Sequence, residues 1–172
     1  MNTIKKLKQY ITKLLALWRT NHLLTCLAEE CGEVMELLYL EPENTKNIEY
    51  ELNDLLSVAN LLHKENILNS KLIQISTLII HKDQDNNSYK NIYVCIKNIQ
   101  YFTHKAIRFT LFDIKPNSKK RNIDEIKLLL EKLVVLIQAD SKLNIWNINE
   151  LKPKQEKVLT YLKIAEEKRD AA

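Results

Sequence analysis

Apolar residues recur every three to four positions along most of the chain, the period of one face of an α-helix. Ile4, Leu7, Ile11, Leu14, Leu15 and Trp18 form the first such series. The spacing predicts a helix there, a second over 22–40 that stops before Pro42, and a third over 47–65. A short apolar helix is expected over 70–81. The stretch KDQDNNS, residues 82–88, is the most polar in the chain and is the expected linker. Beyond it the pattern predicts helices over 90–112, 124–139 and 149–167. A loop is expected around Pro116 and Asn117, with Pro153 in the first turn of the last helix. The fold class is therefore all-α, a helical bundle. Similar helix orders on both sides of the linker predict a tandem duplication. Its units would be 1–85 and 86–172, packed as one globular body.

Composition narrows the function classes. The 172 residues contain one Gly and three Pro. So few breakers exclude an all-β fold, which needs turn residues every few positions. They also exclude a Walker loop and a GxGxxG fingerprint, since each needs more than one glycine. Any nucleotide must be held by side chains and metal. Cys26, Cys31 and Cys95 form no CxxC pair. They are expected to be small apolar fillers in a reducing compartment, which gives a cytoplasmic expectation. No apolar run approaches the roughly 18 residues of a membrane span, so no membrane partner is expected.

Charge is unevenly distributed. Residues 1–85 carry 9 Lys+Arg and 12 Asp+Glu, while residues 86–172 carry 17 and 10. The halves thus hold −3 and +7, which sum to the net +4. An acidic unit joined to a basic one suggests a division of labour.

Two acidic pairs stand out. Glu30-Cys31-Gly32-Glu33 is an ExxE and Glu51-Leu52-Asn53-Asp54 is an ExxD. Residues three apart share a helix face, so each motif presents two carboxylates together. With Leu27 set at zero and roughly 100° per residue, Glu30 falls inside the stripe of Leu23, Val34, Leu37 and Leu38, and Glu33 at its edge. With Leu55 at zero, Glu51 falls among Ile48, Leu52, Val58, Ala59 and Leu62, and Asp54 at their edge. Carboxylates on a core-facing stripe are costly unless they are paired or bind metal. Four of them on successive helices predict an all-oxygen site for Mg²⁺, with Mn²⁺ as the alternative.

The same residues carry a resemblance. ExxE on one helix and ExxD on the next, with 17 residues between Glu33 and Glu51, resembles the all-α nucleoside triphosphate pyrophosphohydrolases. That superfamily includes MazG, the dCTP pyrophosphatases and the dimeric dUTPases. The string from Leu24 to Val34, LTCLAEECGEV, and Glu51 to Leu56, ELNDLL, look closest to phage-type MazG-like proteins. The close match covers residues 21–65. In that branch the ExxE helix continues into a Lys-Ala-Leu-Arg-Phe-Gly segment. Here its counterpart is Lys105-Ala106-Ile107-Arg108-Phe109 in the second half, on a helix without ExxE. Lys154 to Tyr161 also resembles the C-terminus of that branch. The chain therefore looks like two degenerate family units fused into a single-chain pseudo-dimer, which would assemble one complete site.

The resemblance implies hydrolysis of a nucleoside triphosphate to monophosphate and pyrophosphate. Glu30, Glu33, Glu51 and Asp54 would hold the metal, and Lys105 and Arg108 would clamp phosphate oxygens. Trp18, His22, Asn53 and Phe109 are candidates for base recognition. A homodimer of pseudo-dimers is compatible with a family built on oligomers, and nucleic acid is a disfavoured partner. Two alternatives stand beside the enzyme. One is a nucleotide-binding regulatory protein without turnover. The other is a helical module that binds nucleic acid or protein through its basic half.

Overall fold

The computed structural model describes residues 2–68, 88–112, 116–140, 142–143 and 148–170. Among them are five helices and no strand. These are α1 (Asn2–Leu40), α2 (Thr45–Lys64), α3 (Ser88–Phe112), α4 (Pro116–Ala139) and α5 (Ile148–Asp170). The helix expected over 70–81 and most of the expected linker lie outside the described residues. No helix among the described residues is long and apolar enough to cross a membrane.

Two boundaries differ from the sequence pattern. The first two expected helices are one, 39 residues long and about 58 Å from end to end. Arg19, Thr20 and Asn21 interrupt the apolar series, but nothing there breaks a backbone. With neither Gly nor Pro before Gly32, the helix continues. The loop expected at Pro116 and Asn117 is instead the start of α4, where proline's missing N–H costs nothing. Pro153 sits one turn deeper in α5 than expected.

Local chemistry explains why α2 begins and ends where it does. The Asn44 side chain accepts from the Asn47 backbone N–H, an N-cap on the third helical residue. At the other end Asn66 takes a left-handed conformation, φ 57°. The Asn66 N–H then bonds to His63 O at 3.0 Å and the Ile67 N–H to Leu62 O at 2.9 Å. This is a Schellman closure, with Asn in place of the usual Gly.

The core is one cluster shared by all five helices. It joins Leu27, Cys31 and Val34 of α1, Leu52, Leu55 and Leu62 of α2, and Ile96 and Ile99 of α3 to Leu130 and Leu133 of α4 and Val158 and Leu162 of α5. Helix α1 packs on α2 and α3, α3 on α4, and α2 on α5. The two halves of the chain are therefore in direct contact. Helix α2 is the most enclosed element and is buried all round from Leu52 to Leu62. Gln100 of α3 donates to Ala28 O of α1 at 3.0 Å, which sets the crossing of those helices beside Gly32.

Polar clamps hold α5 against the rest. Arg19 donates to both oxygens of Glu65 and to Glu166, at 2.9–3.0 Å. Lys64 Nζ donates to Gln155 Oε1 at 2.7 Å. These contacts fix the height of α5 along α2, which decides what its residue 154 can reach.

The three thiols are free. Cys31 and Cys95 are buried and Cys26 is half-buried. Burial pushes Cys26 and Cys95 up to about 11, and Cys31 is pushed up as well. All three are therefore protonated packing groups at neutral pH, as the sequence suggests.

Candidate metal and phosphate site

The short turn after Leu40 folds α1 and α2 into a helical hairpin, so the ExxE and ExxD faces meet. Glu30 lies between Leu27 and Val34, both fully buried, and is itself only 6% exposed. Asp54 lies on the enclosed helix and is buried, while Glu51, one turn earlier, is half-buried. One carboxylate oxygen from each of Glu30, Glu51 and Asp54 lies within 4.8 Å of the others. Glu33 is exposed and stands one step outside this triad. It lies close enough to Glu51 to help raise that carboxyl. Glu29, the residue before the ExxE, is exposed.

A lysine from the second half enters the cluster. Lys154 Nζ lies 2.8 Å from Glu30 Oε1 and 2.7 Å from Asp54 Oδ2. All three side chains are largely shielded, at 15%, 7% and 11% exposure. Sequence reasoning did not single out this residue. The signal was available, because Lys154 lies four residues before Val158 and eight before Leu162, on the buried stripe of α5. A lysine on a core-facing stripe is as costly as a glutamate there, and each supplies what the other lacks.

The electrostatics leave the cluster short of positive charge. Four carboxyl groups face one ammonium, a deficit of three charges when all are ionised. Burial pushes the Glu30 carboxyl above its usual range, and hydrogen bonding and attraction to Lys154 offset only part of the effect. Burial likewise pushes Glu51 to about 7, reinforced by the nearby Glu33 carboxyl and by the charges of Asp54 and Glu30. Burial opposes the charge on Lys154, but its bonds to Asp54 and Glu30 outweigh that cost and its pKa rises. The lysine therefore stays charged while Glu51 retains a proton part of the time near neutrality.

Lys154 leaves one oxygen of the cluster unpaired. Glu30 Oε2 is buried and has no hydrogen-bond partner. An orphaned carboxylate oxygen costs on the order of 1–3 kcal/mol or more. The available donors are all carboxylate oxygens, from two rigid helices, with no sulfur or imidazole among them. Hard, oxygen-seeking Mg²⁺ and Mn²⁺ fit that donor set.

Beside the triad a cleft of about 380 Å³ opens between the end of α1 and the start of α2. Glu33, Glu36, Leu37, Leu40, Glu41, Asn47, Tyr50 and Glu51 line it. Its volume lies at the lower end of the range of small-molecule sites, roughly 300–1,000 Å³. Tyr50 is 65% exposed and is the aromatic face in the cleft.

The other sequence candidates lie elsewhere. Trp18 and His22 stack on one another, with centroids 5.7 Å apart and planes 12° apart. They precede Glu30 by two turns or more, so His22 is about 12 Å away along the helix axis. Asn53 is buried beside Asp54. The Lys105 ammonium sits over the Tyr101 ring, 4.5 Å from its centroid. The side chains of Arg108 and Phe109 lie outside the described residues. The basic group that the second half is seen to bring to the carboxylates is thus Lys154. Comparison with protein-family models, with curated proteins and with solved structures finds no match to this chain.

Proposed function

We propose that the chain is a divalent-cation-dependent nucleoside triphosphate pyrophosphohydrolase, converting a (d)NTP and water to the monophosphate and pyrophosphate. The supporting observation is the triad of Glu30, Glu51 and Asp54, drawn within 4.8 Å on two helices, with a buried, unpaired oxygen on Glu30. These three residues would hold Mg²⁺, with Glu33 as the proposed fourth ligand at the cluster's margin. The cation would supply neutralisation of phosphate charge and activation of water.

The chain's own groups have assignable tasks. Glu51, raised to about 7, would give up its proton when the cation binds. Lys154 is held by Glu30 and Asp54, and its flexible ammonium would bind a phosphate oxygen beside the carboxylates. Lys105 and Arg108 remain proposed phosphate contacts, and for Lys105 this requires leaving the Tyr101 ring. Tyr50 offers a stacking face in the cleft, beside the proposed roles of Trp18, His22 and Asn53. Membership of the MazG-like superfamily, fusion of two such units and pairing into a homodimer belong to the same reading. The contact of α1 with α3, and the arrival of Lys154 from the second half, support fusion.

One observation favours a second reading. Lys154 already neutralises part of the cluster, as it would in a nucleotide-binding regulatory protein that has given up turnover. Pyrophosphate release separates the two. A panel of canonical and modified (d)NTPs is assayed with and without Mg²⁺, alongside Glu30→Gln. Metal-dependent release lost in the variant supports the enzyme; Mg²⁺-dependent nucleotide binding without release supports the regulator.

A further inference from the structure

Helix α1 has two environments. From Leu23 onward it is built into the core, but every residue from Ile4 to Ala16 is exposed. About 20 Å of helix therefore stands outside the bundle. That length has an apolar face of its own. At roughly 100° per residue, Ile4, Leu7, Tyr10, Ile11, Leu14 and Leu15 fall in one arc about 140° wide. Their exposures run from 39% to 67%. Lys6 and Lys13 flank one border of the arc, Lys8 flanks the other, and Lys5 lies on the far side. No Asp or Glu occurs before Glu29.

The charge decides which occupant fits. A second copy would bring eight lysines together with no carboxylate on either segment to answer them. The arc is also broader than the two-position seam by which helices pair in a coiled coil. A polyanionic, apolar-cored surface satisfies both features at once. We propose that residues 4–16 dock on an anionic lipid bilayer, lying in its interface. The apolar arc then faces the acyl chains and the lysines sit at the headgroups. Lysines at the borders of the arc can bury their stems and keep their ammonium groups in the headgroup layer. A helix lying flat in this way needs no spanning length.

The test is sedimentation of the full chain with vesicles of phosphatidylcholine alone or mixed with phosphatidylserine. Binding is expected to the mixed vesicles only, falling as salt is raised. At about fivefold per lysine, Lys6→Gln/Lys8→Gln/Lys13→Gln should weaken it roughly a hundredfold. Leu7→Asp should abolish it, with circular dichroism and melting unchanged because the position is outside the core. Equal binding to neutral vesicles, or none to either, overturns the proposal. So does a Leu7-dependent dimer in light scattering without vesicle binding, which would make a second copy the occupant.

Discussion

Replacing Lys154 with Met removes the ammonium while keeping the stem and most of its packing. Two buried carboxylates, Glu30 and Asp54, then lose the partner that lies 2.7–2.8 Å away. Removing one member of a buried pair costs about 3–5 kcal/mol, chiefly because the other charge stays behind. The low end, about 3 kcal/mol, applies here, since Lys154 keeps 15% of its surface in water and Glu30 can take up a proton. For a chain of this size that is a fall in Tm of roughly 6–12 °C. A cation that binds the vacated carboxylates restores stability by mass action, about 2.7 kcal/mol when its concentration is 100 times Kd. In the unaltered protein the cation must first displace the ammonium, so its stabilising effect is smaller. Thermal melting with EDTA, Mg²⁺ and Mn²⁺, paired with calorimetric titration, reads both quantities. The expected pattern is a destabilised Lys154→Met that binds Mg²⁺ more tightly than the parent and recovers most of its lost Tm. A variant that melts within about 2 °C of the parent would mean that burial does not make this pair matter, and one that divalent cations do not rescue would mean that the freed carboxylates do not bind them.

Other outcomes follow from the same geometry. Glu51 is raised from its ordinary 4.5 to about 7 in the folded chain. Its neutral form is favoured by folding, so its contribution is fully present below pH 4.5 and is lost as pH rises through 7. In EDTA the parent should therefore lose more Tm than Glu51→Gln over that window, and parallel curves would contradict the assignment. Metal affinity should rise across the same window, because binding must expel the proton from Glu51. Arg19→Ala removes the clamp to Glu65 and Glu166, each about 30% exposed, and should cost only about 1 kcal/mol, or roughly 2–4 °C in Tm. Gly32→Ala should raise stability by about 0.5–1 kcal/mol and leave activity intact. A Cβ there would meet Gln100 Nε2 at an ordinary 3.5 Å. A loss on melting would show that α1 and α3 need the glycine to approach.

The helices were legible wherever apolar spacing was uninterrupted, as in α2 and α3. The break expected between Trp18 and His22 came from weighting polarity over backbone chemistry. Arg19 and Asn21 are half-buried rather than solvent-facing, and Arg19 is engaged by Glu65 and Glu166. The acidic cluster was legible because Glu30 and Glu51 break an apolar stripe and Asp54 lies at its edge, and a break in a stripe has to be answered by structure. Glu33, also at a stripe's edge, is exposed beside the triad. Lys154 obeys the same rule on α5 but was read only as part of a resemblance. Its partners Asp54 and Glu30 lie in the first half of the chain, and only the packing of α5 on α2 reveals them. Lys105 was read as a free phosphate ligand because sequence cannot place the Tyr101 ring beneath it. Pairing between helices distant in the chain is set by tertiary packing, which periodicity alone does not encode.

The decisive measurement is pyrophosphate release from a (d)NTP panel, with the parent and Glu30→Gln compared in Mg²⁺ and in EDTA. The parent should release pyrophosphate in Mg²⁺ alone, and Glu30→Gln should lose two orders of magnitude or more, as expected when a group that holds the cation loses its charge (~2.7 kcal/mol). Release that persists in EDTA, or that survives Glu30→Gln undiminished, would contradict it.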